Sequence, residues 1–146
     1  MLNSFLNFFK HKKNHYWSTK KILIVDDNFL DRKVLCGIVK REGHECIQAE
    51  GGVQALAMAK EYRPDLILLD CDMPDMQGLE VCKKIKEISG IKECPIVFVT
   101  SNVTPKNVID CFEADAASYL SKPVSAKVLI SQMRELLHKN DKMEEL

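Results

Sequence analysis

Residues 65–78 read DLILLDCDMPDMQG. An apolar run lies between Asp65 and Asp70, and two further carboxylates, Asp72 and Asp75, flank Pro74 before the chain reaches Gly78. Consecutive apolar residues bounded by turn formers suit a strand buried on both faces, as in a parallel sheet. Packing gives such a strand no reason to end on an acid. Asp70 therefore asks for a chemical explanation, while Asp65 and Asp75 read as solvated ends.

Working outward, the same pattern recurs. KILIVDD (21–27), ECIQAE (45–50), PIVFVT (95–100) and AASYL (116–120) are short strand-like runs. Between them lie helical spacings. One places Leu30, Val34, Leu35, Ile38 and Val39 together and stops at Gly43; another carries Val53, Leu56, Ala57 and Lys60 and ends before Pro64. Leu79, Cys82, Ile85 and Ile88 mark a third helix, and Val108, Cys111 and Phe112 a fourth after Pro105. Val128, Leu129, Met133, Leu136 and Leu137 mark a last helix from about Ser125 to His138. Five alternating strand–helix units predict a parallel sheet wound on both faces. The expected fold is α/β, a flavodoxin-like three-layer sandwich with strand order 2-1-3-4-5 and five helices.

Composition bounds the function. The 146 residues suffice for one domain with a proper core, and the basic and acidic residues balance at 21 each. Residues 1–21 hold five lysines and no acid, which leaves 16 basic against 21 acidic groups in the body. A mildly acidic body offers no electrostatic footprint for nucleic acid. No apolar run approaches the roughly 20 residues of a membrane span. The six cysteines (36, 46, 71, 82, 94 and 111) form no CxxC pair or zinc spacing, and the expectation is six reduced thiols in a cytosolic protein. The four histidines (11, 15, 44 and 138) are scattered and read as solvated.

In open parallel sheets, ligands bind beyond the carboxyl ends of the strands. Unusual polar residues sit at those ends here: Asp26 and Asp27 after the first strand, Asp70 after the third, Thr100 and Ser101 after the fourth, and Lys122 after the fifth. Each alone reads blandly as a cap, a turn residue or a surface lysine. Together on one rim they form an all-oxygen acidic site suited to Mg²⁺, for which Mn²⁺ can substitute. With a lysine and a hydroxyl beside it, that rim can also receive a phosphoryl group. Asp70 is then the natural nucleophile, since carboxylates form acyl phosphates.

The motifs IVDDN, LLDCDMPDMQG, VFVTSN and YLSKP, in this order and at these spacings, resemble the receiver domain of two-component response regulators. The resemblance spans about residues 20–138, leaving an aromatic and basic N-terminal extension (1–19) and a C-terminal tail (139–146). It implies that Asp70 accepts phosphate from a histidine kinase or a histidine phosphotransfer protein. It also implies Mg²⁺ held by Asp27, Asp70 and the backbone carbonyl of Asp72, with Asp26 acting through a coordinated water. Thr100 corresponds to the switch hydroxyl, Tyr119 to the switch aromatic that turns inward on phosphorylation, and Lys122 to the lysine that pairs with the phosphoryl group. The Lys122–Pro123 bond is expected cis, and Asp115 stands where the family often has Gly. Asp72 and Asn102 occupy the positions that tune phosphate lifetime.

With eight residues after the last helix, the expectation is a stand-alone cytoplasmic receiver with no output domain in this chain. It would signal to a protein target through the fourth-helix, fifth-strand and fifth-helix face, which can also pair two copies as a homodimer. The rival reading is a phosphorylation-independent interaction module docked through its N-terminal segment. A haloacid dehalogenase-type enzyme is disfavoured, because that family's DxD nucleophile follows the first strand, whereas Asp70-Cys71-Asp72 follows the third. Within residues 2–17, Leu2, Phe5, Leu6, Phe8 and Phe9 precede Lys10, Lys12 and Lys13, with Tyr16 and Trp17 behind. That pattern suits an anionic membrane surface or a partner groove, and equally a tail or a short helix packed on the domain or on a second copy.

Overall fold

The computed structural model describes residues 18–144, without the side chains beyond Lys139. The expected contact of residues 2–17 with a membrane or partner therefore lies outside the described residues. Five strands, β1 (Lys21–Val25), β2 (Glu45–Ala49), β3 (Leu66–Leu69), β4 (Ile96–Thr100) and β5 (Ser118–Ser121), pair in parallel in the order β2-β1-β3-β4-β5. They alternate with α1 (Phe29–Arg41), α2 (Gly52–Tyr62), α3 (Gly78–Ile85), α4 (Pro105–Glu113) and α5 (Ala126–Glu144). This is the flavodoxin-like sandwich that the strand–helix alternation predicts.

Successive strand side chains point to opposite faces, so each central strand feeds two cores. Leu23, Val25, Ile67, Leu69, Ile96 and Phe98 meet Ala55, Ala59, Val81, Cys82, Ile85 and Cys111 on one side of the sheet. Ile22, Ile24, Leu66, Leu68, Val97 and Val99 meet Leu35, Cys36, Val39, Leu129, Met133 and Leu137 on the other. Burying each of the large aliphatic side chains contributes about 1.5–3 kcal/mol, which anchors the strand tips rigidly beneath the rim.

The helix faces differ in detail from the sequence expectation. In α1, Leu30 and Val34 are exposed and the buried stripe is Arg32, Leu35, Cys36 and Val39. In α2, Val53 is exposed and the small residues Gly52, Ala55 and Ala59 face the sheet, since a close-lying helix leaves room only for them. The last helix continues past His138 to Glu144, so most of the expected C-terminal tail is helical. His138 itself is buried, and His44 accepts a hydrogen bond from the Lys20 amide at Nδ1 (3.1 Å), so neither is the solvated histidine expected.

Several local features follow from residue type. Asn28 caps α1 by accepting from the Asp31 amide (3.0 Å), and Thr104 caps α4 with Pro105 in its first turn. Gly43 and Asp115 take the left-handed conformations expected of them, with φ of 84° and 68°. The Lys122–Pro123 peptide is cis.

Three expectations are corrected. Cys36 on α1 and Cys46 on β2 are paired in a disulfide, their Cα atoms 5.7 Å apart and within bridging range, whereas Cys71, Cys82, Cys94 and Cys111 are free and buried. Asp75 is not merely solvated: its two carboxylate oxygens accept the Gly52 and Val53 amides at 3.0 Å each, capping α2 where Gly51 has no side chain to do so. Asp65 likewise accepts from the Lys21 amide (2.8 Å), tying the start of β3 to that of β1.

Candidate functional site

Backbone ladders carry the acids to the rim. The Asp26 amide donates to the Ala49 carbonyl (3.1 Å) and the Asp70 amide to the Val25 carbonyl (2.9 Å), each extending the sheet one residue past a strand end. Gly78 completes the support. Its amide donates to the Cys71 carbonyl (2.7 Å), and a Cβ at this position would collide with the Asp70 carbonyl. Only Gly lets the start of α3 pass so close beneath Asp70.

The structure brings Asp26, Asp27 and Asp70 together, with one carboxylate oxygen from each lying within 4.8 Å of the others. Asp26 and Asp70 are buried, while Asp27 faces solvent. Lys122 enters from the loop after β5 and donates to Asp26 (2.7 Å), to Asp31 (2.9 Å) and at longer range to Asp70 (3.5 Å). Thr100, buried at the end of β4, accepts the Asn102 amide at its hydroxyl oxygen (3.1 Å). Asp72, in the loop just past Asp70, is exposed.

These surroundings set the charge state. Burial, and then the neighbouring Asp26 carboxylate, raise the Asp70 pKa; Lys122, the Thr100 hydroxyl and the Asp72 amide oppose them. Burial works to lower the Lys122 pKa, but hydrogen bonds to Asp26 and Asp31 and the charges of Asp26 and Asp70 outweigh it and raise the pKa above the ordinary lysine value. The rim thus holds a firmly cationic lysine beside an acid that resists ionisation. Adding a hard cation relieves that resistance, and three carboxylates open to solvent on one side are the donor set for one. The acidic cluster can hold a metal ion.

Beside the acids lies a second, neutral network. Tyr119 on β5 is turned inward: its ring stacks on Phe98 (centroids 6.1 Å apart) and its hydroxyl donates to the Asn102 carbonyl. Asn107 on α4 reaches three acceptors with its amide: the Tyr119 hydroxyl (2.7 Å), the Asn102 carbonyl (3.1 Å) and the Cys71 sulfur (3.3 Å). Burial, and then the nearby Cys71, push the Tyr119 phenol well above its usual range, so it remains a hydrogen-bond donor. Burial also pushes the Cys111 thiol up to about 12, which leaves it unreactive.

Sequence reasoning missed three residues here. Asp31 sits one helical turn past Asp27 and joins the lysine. Arg32 is buried and donates from Nη1 to the Asp26 carbonyl (2.7 Å), fixing the first acid from below; a charged residue in register with Leu35, Cys36 and Val39 was the available signal. Asn107 had no signal, because its partners lie in the loops after β3 and β4 and on β5.

The fold and the rim define a class: an open parallel α/β sandwich whose acids, hydroxyl and lysine share one strand-tip edge. The family model of the response regulator receiver domain matches residues 22–134. The chain is 33% identical over 119 residues to the polar-differentiation response regulator DivK of Brucella ovis, covering 82% of this chain and 97% of that one. Among solved structures, Vibrio cholerae chemotaxis protein CheY4 superposes with a TM-score of 0.78 at 30% identity, covering 82% of this chain and all (100%) of that one. A CheY-like receiver domain protein from Methanospirillum hungatei JF-1 gives 0.81 at 29% identity, over 86% of this chain and 99% of that one. The chain belongs to the response regulator receiver domain family.

Proposed function

We propose that the chain is a single-receiver switch that accepts a phosphoryl group on Asp70. The observation that carries this reading is the convergence of Asp26, Asp27, Asp70, Thr100 and Lys122 on one rim, with one carboxylate oxygen of each acid within 4.8 Å of the others and Lys122 reaching Asp70 at 3.5 Å. An Asp70 oxygen attacks the phosphorus of a phosphohistidine on a histidine kinase or phosphotransfer protein. The P–N bond breaks, and the departing imidazole nitrogen takes a proton from solvent. Lys122 and the Thr100 hydroxyl lie where they can stabilise charge on the transferring oxygens. Hydrolysis reverses the state, as water attacks phosphorus and the bond to Asp70 breaks, releasing phosphate.

Asp26, Asp27, Asp70 and the Asp72 carbonyl would hold Mg²⁺, or Mn²⁺ in its place. When bound, the ion supplies charge neutralisation at the carboxylates and the phosphoryl oxygens. Asp72 and Asn102 flank the approach of the hydrolytic water and tune phosphate lifetime.

The output is a change of protein surface. The Thr100 hydroxyl, at the tip of the strand beside Asp70, accepts the Asn102 amide, and the Asn102 carbonyl in turn holds Tyr119. Charge added at Asp70 therefore acts on Tyr119 through one loop, a local event that biases a two-state element. The face that would change carries exposed Val103, Ile109, Phe112 and Val128, suited to a protein target in the cytoplasm or to a second copy.

Incubation with Mg²⁺ and acetyl phosphate, followed on a phosphate-affinity gel, tests the reading, with a histidine phosphotransfer donor as a second source. A shifted band in the parent that is absent in Asp70→Asn is expected. No Asp70-dependent shift with either donor would point instead to a phosphorylation-independent interaction module.

A further inference from the structure

The Lys122 ammonium is not free to serve Asp70 alone. Its two short contacts go to Asp26 (2.7 Å) and Asp31 (2.9 Å), and its third, to Asp70, stretches to 3.5 Å. An ammonium has three donors in fixed tetrahedral array, so close bonds to two acids limit the approach to the third. Asp31 is set for this role by the cap that begins α1, since Asn28 fixes the Asp31 amide at 3.0 Å.

The two strong partners are unequal. The Asp26 side chain is 2% exposed, and losing its cation would leave a buried, uncompensated charge. The Asp31 side chain is 42% exposed and can be rehydrated when its partner departs. Of the two, the Asp31 contact is the one that breaks at low cost.

The geometry points to Asp31 as a positioning residue that restrains Lys122 and thereby slows phosphoryl capture; this rests on the acceptor reading above. Lys122 keeps Asp26 throughout. It leaves Asp31 when a phosphoryl group arrives and returns when that group departs. Asp31 also adds a negative charge beside the incoming phosphoryl oxygens, so the two effects share a sign and must be separated. A lysine held this way sets a threshold: a donor gains the lysine's charge only by binding well enough to draw it from Asp31.

The test uses the full chain with Mg²⁺ and acetyl phosphate, reading the rate of Asp70 labelling for the parent, Asp31→Asn and Asp31→Glu, alone and combined with Lys122→Ala. Asp31→Asn is expected to raise the labelling rate constant about fivefold, the equivalent of one exposed ion pair. Asp31→Glu is expected to return the rate to within about twofold of the parent, and the gain is expected to vanish in the Lys122→Ala background, as coupled residues require. An unchanged rate in Asp31→Asn, or the same gain without Lys122, overturns the proposal, the second result leaving only a through-space charge effect.

A second measurement needs no Lys122 variant. The ¹⁵N resonance of the Lys122 ammonium in the unphosphorylated protein is expected to shift in Asp31→Asn and to recover in Asp31→Glu; no shift overturns the proposal. Failure of the parent to label in an Asp70-dependent way is a different result, because it removes the acceptor reading itself while the resonance still reports whether Asp31 holds the lysine.

Discussion

The Asp70 carbonyl and the Cα of Gly78 are so close that no side chain fits between them. The third strand and the third helix touch at the residue proposed to carry the phosphoryl group, and this contact fixes both the loop and the acid. Gly78→Ala is therefore expected to cost about 1–3 kcal/mol through overpacking. Because the colliding atoms are backbone, relief must come from moving Asp70. Urea unfolding measures the first effect. The rate of acetyl phosphate labelling, expected to fall with it, measures the second.

Removing the acid should stabilise the fold. Burial and the Asp26 charge raise the Asp70 pKa, so its ionised form is disfavoured in the folded state. The contribution of this group is fully present below its unfolded pKa and is lost as pH rises through the higher folded value, so at neutral pH the carboxylate is a net cost. Asp70→Asn is expected to gain roughly 0.5–2 kcal/mol in EDTA. Adding Mg²⁺ should raise the melting temperature of the parent more than that of the variant, since binding to the folded state alone stabilises by mass action. A thermal melt with and without the ion checks both statements.

Stability should fall on mild acidification, by way of His44. Burial lowers its pKa below the ordinary 6.5, with Glu42 opposing, and its Nδ1 accepts the Lys20 amide, which requires a neutral ring nitrogen. The unfolded chain then takes up the proton first. This stability is present above the unfolded value and is lost as pH drops from about 6.5 through the lower folded value. Unfolding free energies at pH 7.5 and 5.5 should differ in that direction, and His44→Asn should reduce the difference. Asp75 adds a separate loss at lower pH: the Val53 and Gly52 amides hold its carboxyl below the usual range, so the cap it places on α2 is lost as pH falls through that depressed value.

Asn107→Ala deletes the one amide that reaches the Tyr119 hydroxyl, the Asn102 carbonyl and the Cys71 sulfur together. A loss of about 1–2 kcal/mol is expected from the unmade hydrogen bonds. The Tyr119 ring should sample an outward position more often, seen as changed ring resonances in the NMR spectrum of a Tyr-labelled sample. Ring resonances like those of the parent would mean that Asn102 and Phe98 suffice to hold it.

Much of this molecule was legible in its chain because the forces that write strands and helices act over a few residues. Runs such as LILL and IVFVT, short, partly β-branched and bounded by turn formers, suit strands buried on both faces, and their alternation with helical spacings selects a parallel sheet. Strand direction then puts Asp26, Asp27, Asp70, Thr100 and Lys122 at the same edge, so the site could be named from four separate strand ends. The left-handed Asp115 and the cis bond before Pro123 were expected from the family resemblance rather than from local propensity, and both are present.

What the chain alone left open was decided by contacts between residues far apart in sequence. Leu30 and Val34 fit the apolar spacing of α1, yet beside the expected Leu35 and Val39 the sheet takes Arg32 and Cys36, the buried guanidinium reaching the Asp26 carbonyl. Asp75 looks solvated until α2 arrives 22 residues away and needs a cap. Cys36 and Cys46 become partners only when α1 lies across β2. Asp31 is a surface acid until Lys122, 91 residues later, enters the rim and divides its charge between that acid and the buried Asp26. Local chemistry placed the acids of the site; packing decided which of them the lysine holds.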